Sequence, residues 1–320
     1  MKRFSFLLIA MLISGTGYAQ SALPRDTSFT IYSAYIKTLK TNPGISIVKT
    51  GTTKSVKTER NITYCSDSLG ALLLDVFYPS KKTARLYPAV LLIHGGGWRS
   101  GDRAQQEPMA AWLAADGYVA ATMQYRLSAE AKYPAAIQDV KAAIRWLRAR
   151  AGEYAIDTGR IAVLGCSAGG QLAALAGATN DDTVFDGLNC NRSHSSRVQA
   201  IIDVDGILAF IHPESGEGDE RKGSSAATQW LGGTQEMQPS LWQQASPLNH
   251  VSAATPPVLF INSSVVRMHA GRDDLIRRLD SLHIYSERHT FNDAPHPFWL
   301  FHPWFEPMMQ YIHAFLEKVF

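Results

Sequence analysis

One serine, Ser167, stands in a run of small residues, GCSAGG at 165–170, inside the apolar stretch IAVLGCSAGGQLAALAG. A serine hydroxyl attacks a carbonyl well only when a base takes its proton and donors receive the charge that develops on the carbonyl oxygen. Gly165 and Gly169, two residues to either side, leave room for a sharp turn from strand to helix that holds the serine out. The helix beginning behind that turn offers free N–H groups and the positive end of its dipole, both of which favour an oxyanion. The same spacing also serves as a plain tight turn, so a second feature is needed to choose.

HGGGW, His94–Trp98, is that feature. It ends another apolar run, and its glycines expose N–H groups that can point at a substrate carbonyl. Two such turns at strand ends fit an oxyanion hole better than two unrelated turns do.

The elements that must position these turns are legible from pattern. The continuous apolar run from Ala89 to Ile93 predicts a parallel strand buried on both faces. NITYC, ALLLDVFYP, YVAATMQYRLS, RIAVLG, RVQAIIDVDG, PPVLFIN and YSERHTF read as further strands. In PAAIQDVKAAIRWLRARAG, residues Ile137, Val140, Ile144 and Leu147 recur at steps of three and four, between Pro134 and Gly152. That is an amphipathic helix with both of its punctuation marks. MAAWLAADGY, AGGQLAALAGA, RDDLIRRLDSL and MMQYIHAFLEKVF complete the helices. Alternating strands and helices imply a mostly parallel sheet covered on both faces, an α/β fold, with ligands at the carboxyl ends of the strands.

HGGGW, YRLS, YPAAIQDVKAAIRWL and RIAVLGCSAGG together resemble the α/β-hydrolase esterases of the hormone-sensitive-lipase and acetyl or feruloyl carbohydrate-esterase type. The resemblance covers about residue 61 to the end and implies an α/β-hydrolase fold. It implies Ser167 as nucleophile, an oxyanion hole made by the amides of Gly96, Gly97 and Ala168, and a turn shaped by Gly95 and His94. It places the base after the last strand, where His296 follows Asp293, Ala294 and Pro295. Of the other nine of the ten histidines, His302 is second choice, while His289 and His313 fall inside a strand and a helix. A zinc site on His296 and His302 lacks a third ligand.

The acid departs from the family pattern. The family's position follows PPVLFIN, but NSSVVRMHAGRDD has no early carboxylate there. Asp273 keeps the usual chain order and is preferred. Asp205, ending RVQAIIDVDG, is the alternative, because the end of an adjacent strand also reaches the histidine. Asp203, two residues inside that strand, reads as buried structure, and Asp274 and Asp293 stand behind these two.

The whole chain bounds the function. It has 320 residues, 46% hydrophobic and 18% charged, with a formal charge of +3. That balance fits one large folded domain and gives no reason to expect a nucleic-acid partner. The cationic stretch from Lys37 to Arg60 reads as solvated surface. MKRFSFLLIAMLISGTGYAQ has the cations, short apolar run and small residues of a signal peptide cleaved after Ala19. Expected, then, are a leader at 1–19, an arm at 20–60, and one domain at 61–320 with an insertion at about 207–250. The mature chain is expected in the periplasm or outside the cell, without stable membrane association, where Cys65 and Cys190 could pair or stay as thiols. The expected reaction is serine-dependent hydrolysis of an acylated carbohydrate or another small ester, with no cofactor. PHPFWLFHPWFEP resembles secreted bacterial enzymes acting on acylated plant polysaccharides, such as pectin or xylan. Trp98, Trp299 and Trp304 are candidates to stack on a sugar or to wall the pocket. A lipase or general carboxylesterase is the nearest rival, and a non-catalytic carbohydrate-binding protein is the rival of another class.

Overall fold

A computed structural model describes residues 26–320 apart from 27, 52, 68–69, 82–84, 181, 188 and 220–222. The expected leader at 1–19 lies outside the described residues. The strands are β1 (Ser46–Ile47), β2 (Val56–Asp67), β3 (Gly70–Pro79), β4 (Tyr87–Ile93), β5 (Val119–Met123), β6 (Ile156–Cys166), β7 (Ala200–Val204), β8 (Val258–Asn262), β9 (Ser286–Thr290) and β10 (Phe301–His302). Among the described residues, eight of them form one sheet in the order β2-β3-β5-β4-β6-β7-β8-β9. β2, β3 and β5 pair antiparallel, and the rest of the sheet is parallel.

The helices are α1 (Ile31–Leu39), α2 (Glu107–Ala115), α3 (Ala135–Ala149), α4 (Ala151–Tyr154), α5 (Ala168–Ala178), α6 (Ala226–Leu231), α7 (Pro239–Gln244), α8 (Arg272–Ser281) and α9 (Phe305–Val319). α1, α2 and α9 pack on one face of the sheet, and α3, α5 and α8 on the other. β4 shows why its sequence is unbroken apolar: Ala89, Leu91 and Ile93 enter one core while Val90 and Leu92 enter the opposite one. The stripe expected on α3 is buried at Ile137, Val140, Ile144 and Leu147. Lys141 is buried with them because its ammonium donates to the carbonyls of Ala176 and Thr179 (3.0 and 2.8 Å), at the negative end of α5.

Residues 20–60 are integrated where they are described. α1 starts with a reciprocal cap between Thr30 and Ser33. It buries Ala34 but exposes Tyr32 and Ile36, so no clean apolar stripe marked it in the sequence. β1 pairs with β10 near the other end of the chain, and β2 begins at Val56, ahead of the boundary expected at 61. The stretch at 207–250 carries α6 and α7 and buries Phe210, Trp230 and Trp242. Cys65 and Cys190 form a disulfide (Cα–Cα 5.6 Å), and Cys166 is a buried free thiol.

Candidate active site

Ser167 joins β6 to α5 with φ 57° and ψ −121°, a backbone conformation costly for any residue with a Cβ. Its amide donates to Val204 O at 2.8 Å, which fixes the turn against β7. The turn is compact enough to demand its glycines. A Cβ on Gly165 would lie 1.8 Å from Gly169 O, and one on Gly169 would lie 2.1 Å from Ile93 O. The small residues around Ser167 are there because backbones touch.

His296 follows β9 in a loop clasped to the end of β8. Phe291 N donates to Asn262 O (2.9 Å), and Ser264 sends both its amide and its hydroxyl to Ala294 O (3.1 and 2.9 Å). The loop delivers the imidazole to the serine. His296 Nε2 accepts from Ser167 Oγ at 2.9 Å, and its Nδ1–H donates to Asp205 Oδ2 at 3.0 Å. Asp205 is fully buried, and its other carboxylate oxygen accepts the Ser263 amide at 2.8 Å. Serine, histidine and carboxylate thus form one chain of hydrogen bonds with the tautomer fixed by the acid.

Asp273, the expected acid, does not meet the histidine; Asp205 does. Asp273 sits in the first turn of α8, where its carboxylate accepts from Arg272 Nε (2.8 Å) and Arg288 Nη1 (3.3 Å). Those guanidinium groups hold it below the usual carboxylate range. Asp274 is tied to His212 and Arg277, and Asp293 accepts from Trp304 Nε1. After β8 stand Ser263 and Ser264 in place of an acid: the Ser263 amide holds Asp205, and Ser264 holds the histidine loop. Asp203 is buried structure, its Oδ1 accepting the Gly206 amide at 2.9 Å. Burial and the neighbouring Asp205 charge push its carboxyl well above the ordinary range.

Gly96, Gly97 and Ala168 border the same cavity as Ser167 and His296, a space of about 740 Å³. Among the described residues their amides have no acceptor, as an oxyanion hole requires. Gly96 O accepts from Ser100 N (3.1 Å) and Ser100 Oγ (3.1 Å), which fixes the loop. Gly96 itself has φ +125°, and a Cβ there would lie 2.1 Å from Ser100 O.

The three tryptophans separate. Trp98 lines the cavity, stacked on Trp230 at 4.8 Å with its indole N–H on Gln171 Oε1 (2.9 Å). Trp299 and Trp304 do not border it. The chain after His296 turns back into the core, so Trp299 meets the imidazole edge-on from behind (5.1 Å) and Trp304 is anchored to Asp293. His302 instead bonds Glu306 at 2.9 Å. Sequence reasoning missed the other wall of the cavity: Phe29, Ser33 and Lys37 line it from α1 and the residues before it. The T-x-x-S cap at Thr30 was the available signal for that helix.

A doubly covered, mostly parallel sheet with a serine, histidine and aspartate relay at its carboxyl edge defines an α/β hydrolase. More narrowly, the family model BD-FAE matches residues 74–284, and the chain belongs to that family. Esterase LipC of Mycobacterium tuberculosis is 33% identical over 206 residues, which is 64% of this chain and 50% of that protein. The chain spans about half the length of the curated relatives it matches. Among solved structures, a truncated carbohydrate esterase from gut microbiota superposes with a TM-score of 0.68 at 24% identity, covering 84% of this chain and 100% of that one. An esterase of the planctomycete Thermogutta terrifontis gives 0.68 at 24% identity, covering 83% and 93%.

Proposed function

We propose that the protein is an exported serine esterase that removes acyl groups, acetyl or feruloyl, from plant polysaccharides such as pectin or xylan. One observation carries the reading: the continuous hydrogen-bonded relay from Ser167 through His296 to the buried Asp205. His296 takes the hydroxyl proton as Ser167 Oγ attacks the ester carbonyl, and Asp205 stabilises the imidazolium that forms. The amides of Gly96, Gly97 and Ala168 receive the oxyanion. His296 then returns the proton to the leaving alcohol, giving an acyl-enzyme. Water, activated by the same imidazole, releases the acid. No step calls on a cofactor.

The carbohydrate part of the reading is supported by the gut-microbiota carbohydrate esterase among the structural neighbours. Export is supported by the signal-like sequence at 1–19 and by the Cys65–Cys190 disulfide, which an oxidising compartment favours. A lipase or general carboxylesterase is the second reading, favoured by LipM of Mycobacterium tuberculosis, a probable carboxylic ester hydrolase 34% identical over 196 residues. A fluorophosphonate probe should label one site in the wild type and none in Ser167→Ala, whose turnover should fall roughly 10⁶-fold. Persistent labelling of that variant would place the nucleophile elsewhere. A panel of acetylated pectins, feruloylated xylans and aryl esters, ranked by kcat/KM, separates the carbohydrate reading from the general one.

A further inference from the structure

Three cations from three separate segments face the cavity that holds Ser167: Lys37 of α1, Arg99 after the glycine loop, and Arg267 in the turn Val266–His269 after β8. A single carboxylate, Glu217, lines it with them among the described residues. The chain as a whole carries only +3, so this is a local concentration rather than general basicity. Arg267 is partly offset, its Nη1 lying 3.4 Å from Glu217 Oε1. Arg99 reaches Gln229 Oε1 at 3.4 Å and lies 3.8 Å from Asp26 Oδ2, a looser pairing. Lys37 has no ion-pair or hydrogen-bond partner among the described residues. The arginines remain about half exposed, free to swing toward an incoming anion on their long stems. The stretch from Lys37 therefore reaches past the solvated surface expected of it, since its first cation looks into the site.

Resting on the reading of Ser167 as an ester-cleaving nucleophile, we infer that this cavity selects esters that carry a free carboxylate away from the scissile bond, with Lys37, Arg99 and Arg267 supplying the attraction. A carboxylate on the alcohol side belongs to an acylated uronic-acid sugar; on the acyl side it belongs to a half-ester of a dicarboxylic acid. Positive charge around a concave site raises the local concentration of such anions and loses that effect as salt is added.

The test compares charged with neutral esters of like size. Acetylated oligogalacturonate is paired with its methyl-esterified form, and p-nitrophenyl hemisuccinate with p-nitrophenyl butyrate. Each is assayed for kcat/KM with the wild type and with Lys37→Gln/Arg267→Gln, at low and high salt. Binding of both oligosaccharides to Ser167→Ala is measured by calorimetry. The wild type should favour the charged member of at least one pair by about tenfold at low salt, and the double variant or high salt should remove most of that preference. The arm showing the preference tells on which side of the ester the carboxylate sits. Equal handling of both members, or a preference undiminished in the double variant, would overturn the inference. Should the wild type cleave no ester while Ser167→Ala still prefers the charged oligosaccharide, the esterase reading fails and the anion preference stands.

Discussion

The carboxylate of Asp205, fully buried at the end of β7, accepts the His296 Nδ1–H at 3.0 Å and the Ser263 amide at 2.8 Å. That of Asp273, about half exposed at the start of α8, lies between Arg272 and Arg288. One side-chain type thus serves two ends. At Asp205 each oxygen has a fixed donor and no water to compete, so the imidazole has one orientation. At Asp273 the partners are long and solvated, so the charge is neutralised without anything being aimed. What sets the two apart is how tightly the surroundings determine the carboxylate, and place in the chain order is secondary.

The two carboxylates should differ most in turnover. Asp205→Asn keeps the volume but lets the amide favour the wrong imidazole tautomer, and turnover of an aryl acetate should fall roughly 10⁴-fold. Asp273→Asn should stay close to the wild type in the same assay. Comparable losses in the two variants would mean that both acids serve the histidine and that the contrast is false.

Why the sequence leaves the acid between Asp273 and Asp205 while it singles out Ser167 and His296 is a matter of range. The turn at Ser167 is declared by residues two apart, and its glycines are required by backbone contacts within the same few residues and with β4. The strands were equally plain, since burial on both faces leaves β4 no polar residue past Tyr87. β7 and β8 are neighbours in the sheet, however, so carboxylates following either could approach His296. The choice depends on the Ser263 amide and on the φ of 55° at Asp205, neither of which has a local signature. The same limit misplaced Trp299 and Trp304: closeness to His296 in sequence says nothing about which side of the ring the chain leaves by. α1 stayed hidden because only part of one face is buried, with Tyr32 and Ile36 left outside.

A third carboxylate sharpens the contrast between buried and exposed. Asp139 is as buried as Asp205 but accepts from Arg126, through Nη2 at 2.6 Å, Nε at 3.0 Å and the backbone amide at 2.8 Å. Arg126→Ala would strand that charge and should cost about 3–5 kcal/mol of stability in denaturant titrations. Burial raises Asp139 to about 6 from 3.8 despite the guanidinium. Between those values the folded protein holds a proton that the unfolded chain has released, so its contribution to stability falls as pH rises through that window. The Arg126→Ala penalty should accordingly be smaller at about pH 5, where the stranded acid is protonated, than at about pH 8. An equal penalty at both would show that Asp139 does not carry the charge.

The oxyanion loop probes the same edge of the sheet without any carboxylate. Gly96→Val puts a branched side chain where φ is +125° and Ser100 O lies 2.1 Å from the new Cβ. Displacing that amide should cost roughly 10² to 10³ in turnover on short esters, the usual loss for one oxyanion donor. His296 should still meet Asp205, so the pH dependence of the residual rate should keep its wild-type shape. Near-normal rates in Gly96→Val would remove that loop from the oxyanion hole and leave the Asp205 assignment untouched.

The smallest effect belongs to Asp273 itself. Its hydrogen bond from Arg272, joined by Arg288, lowers its carboxyl below 3.8 in the folded protein. A depressed acid contributes stability that is present above the unfolded value and lost as pH falls through the folded one. With half of the side chain in water, screening and side-chain entropy reduce that contribution, and Asp273→Asn should cost less than about 1 kcal/mol at neutral pH. The difference should shrink as the medium is taken below the ordinary carboxylate range, where the wild-type group is protonated too, and it should also shrink in high salt. Urea midpoints of wild type and variant, measured at neutral and acid pH beside turnover, decide it. A stability loss that is independent of pH and salt would mean that the Asp273 side chain packs rather than pairs. A collapse of turnover with stability intact would return the acid to the end of β8 and undo the contrast with Asp205.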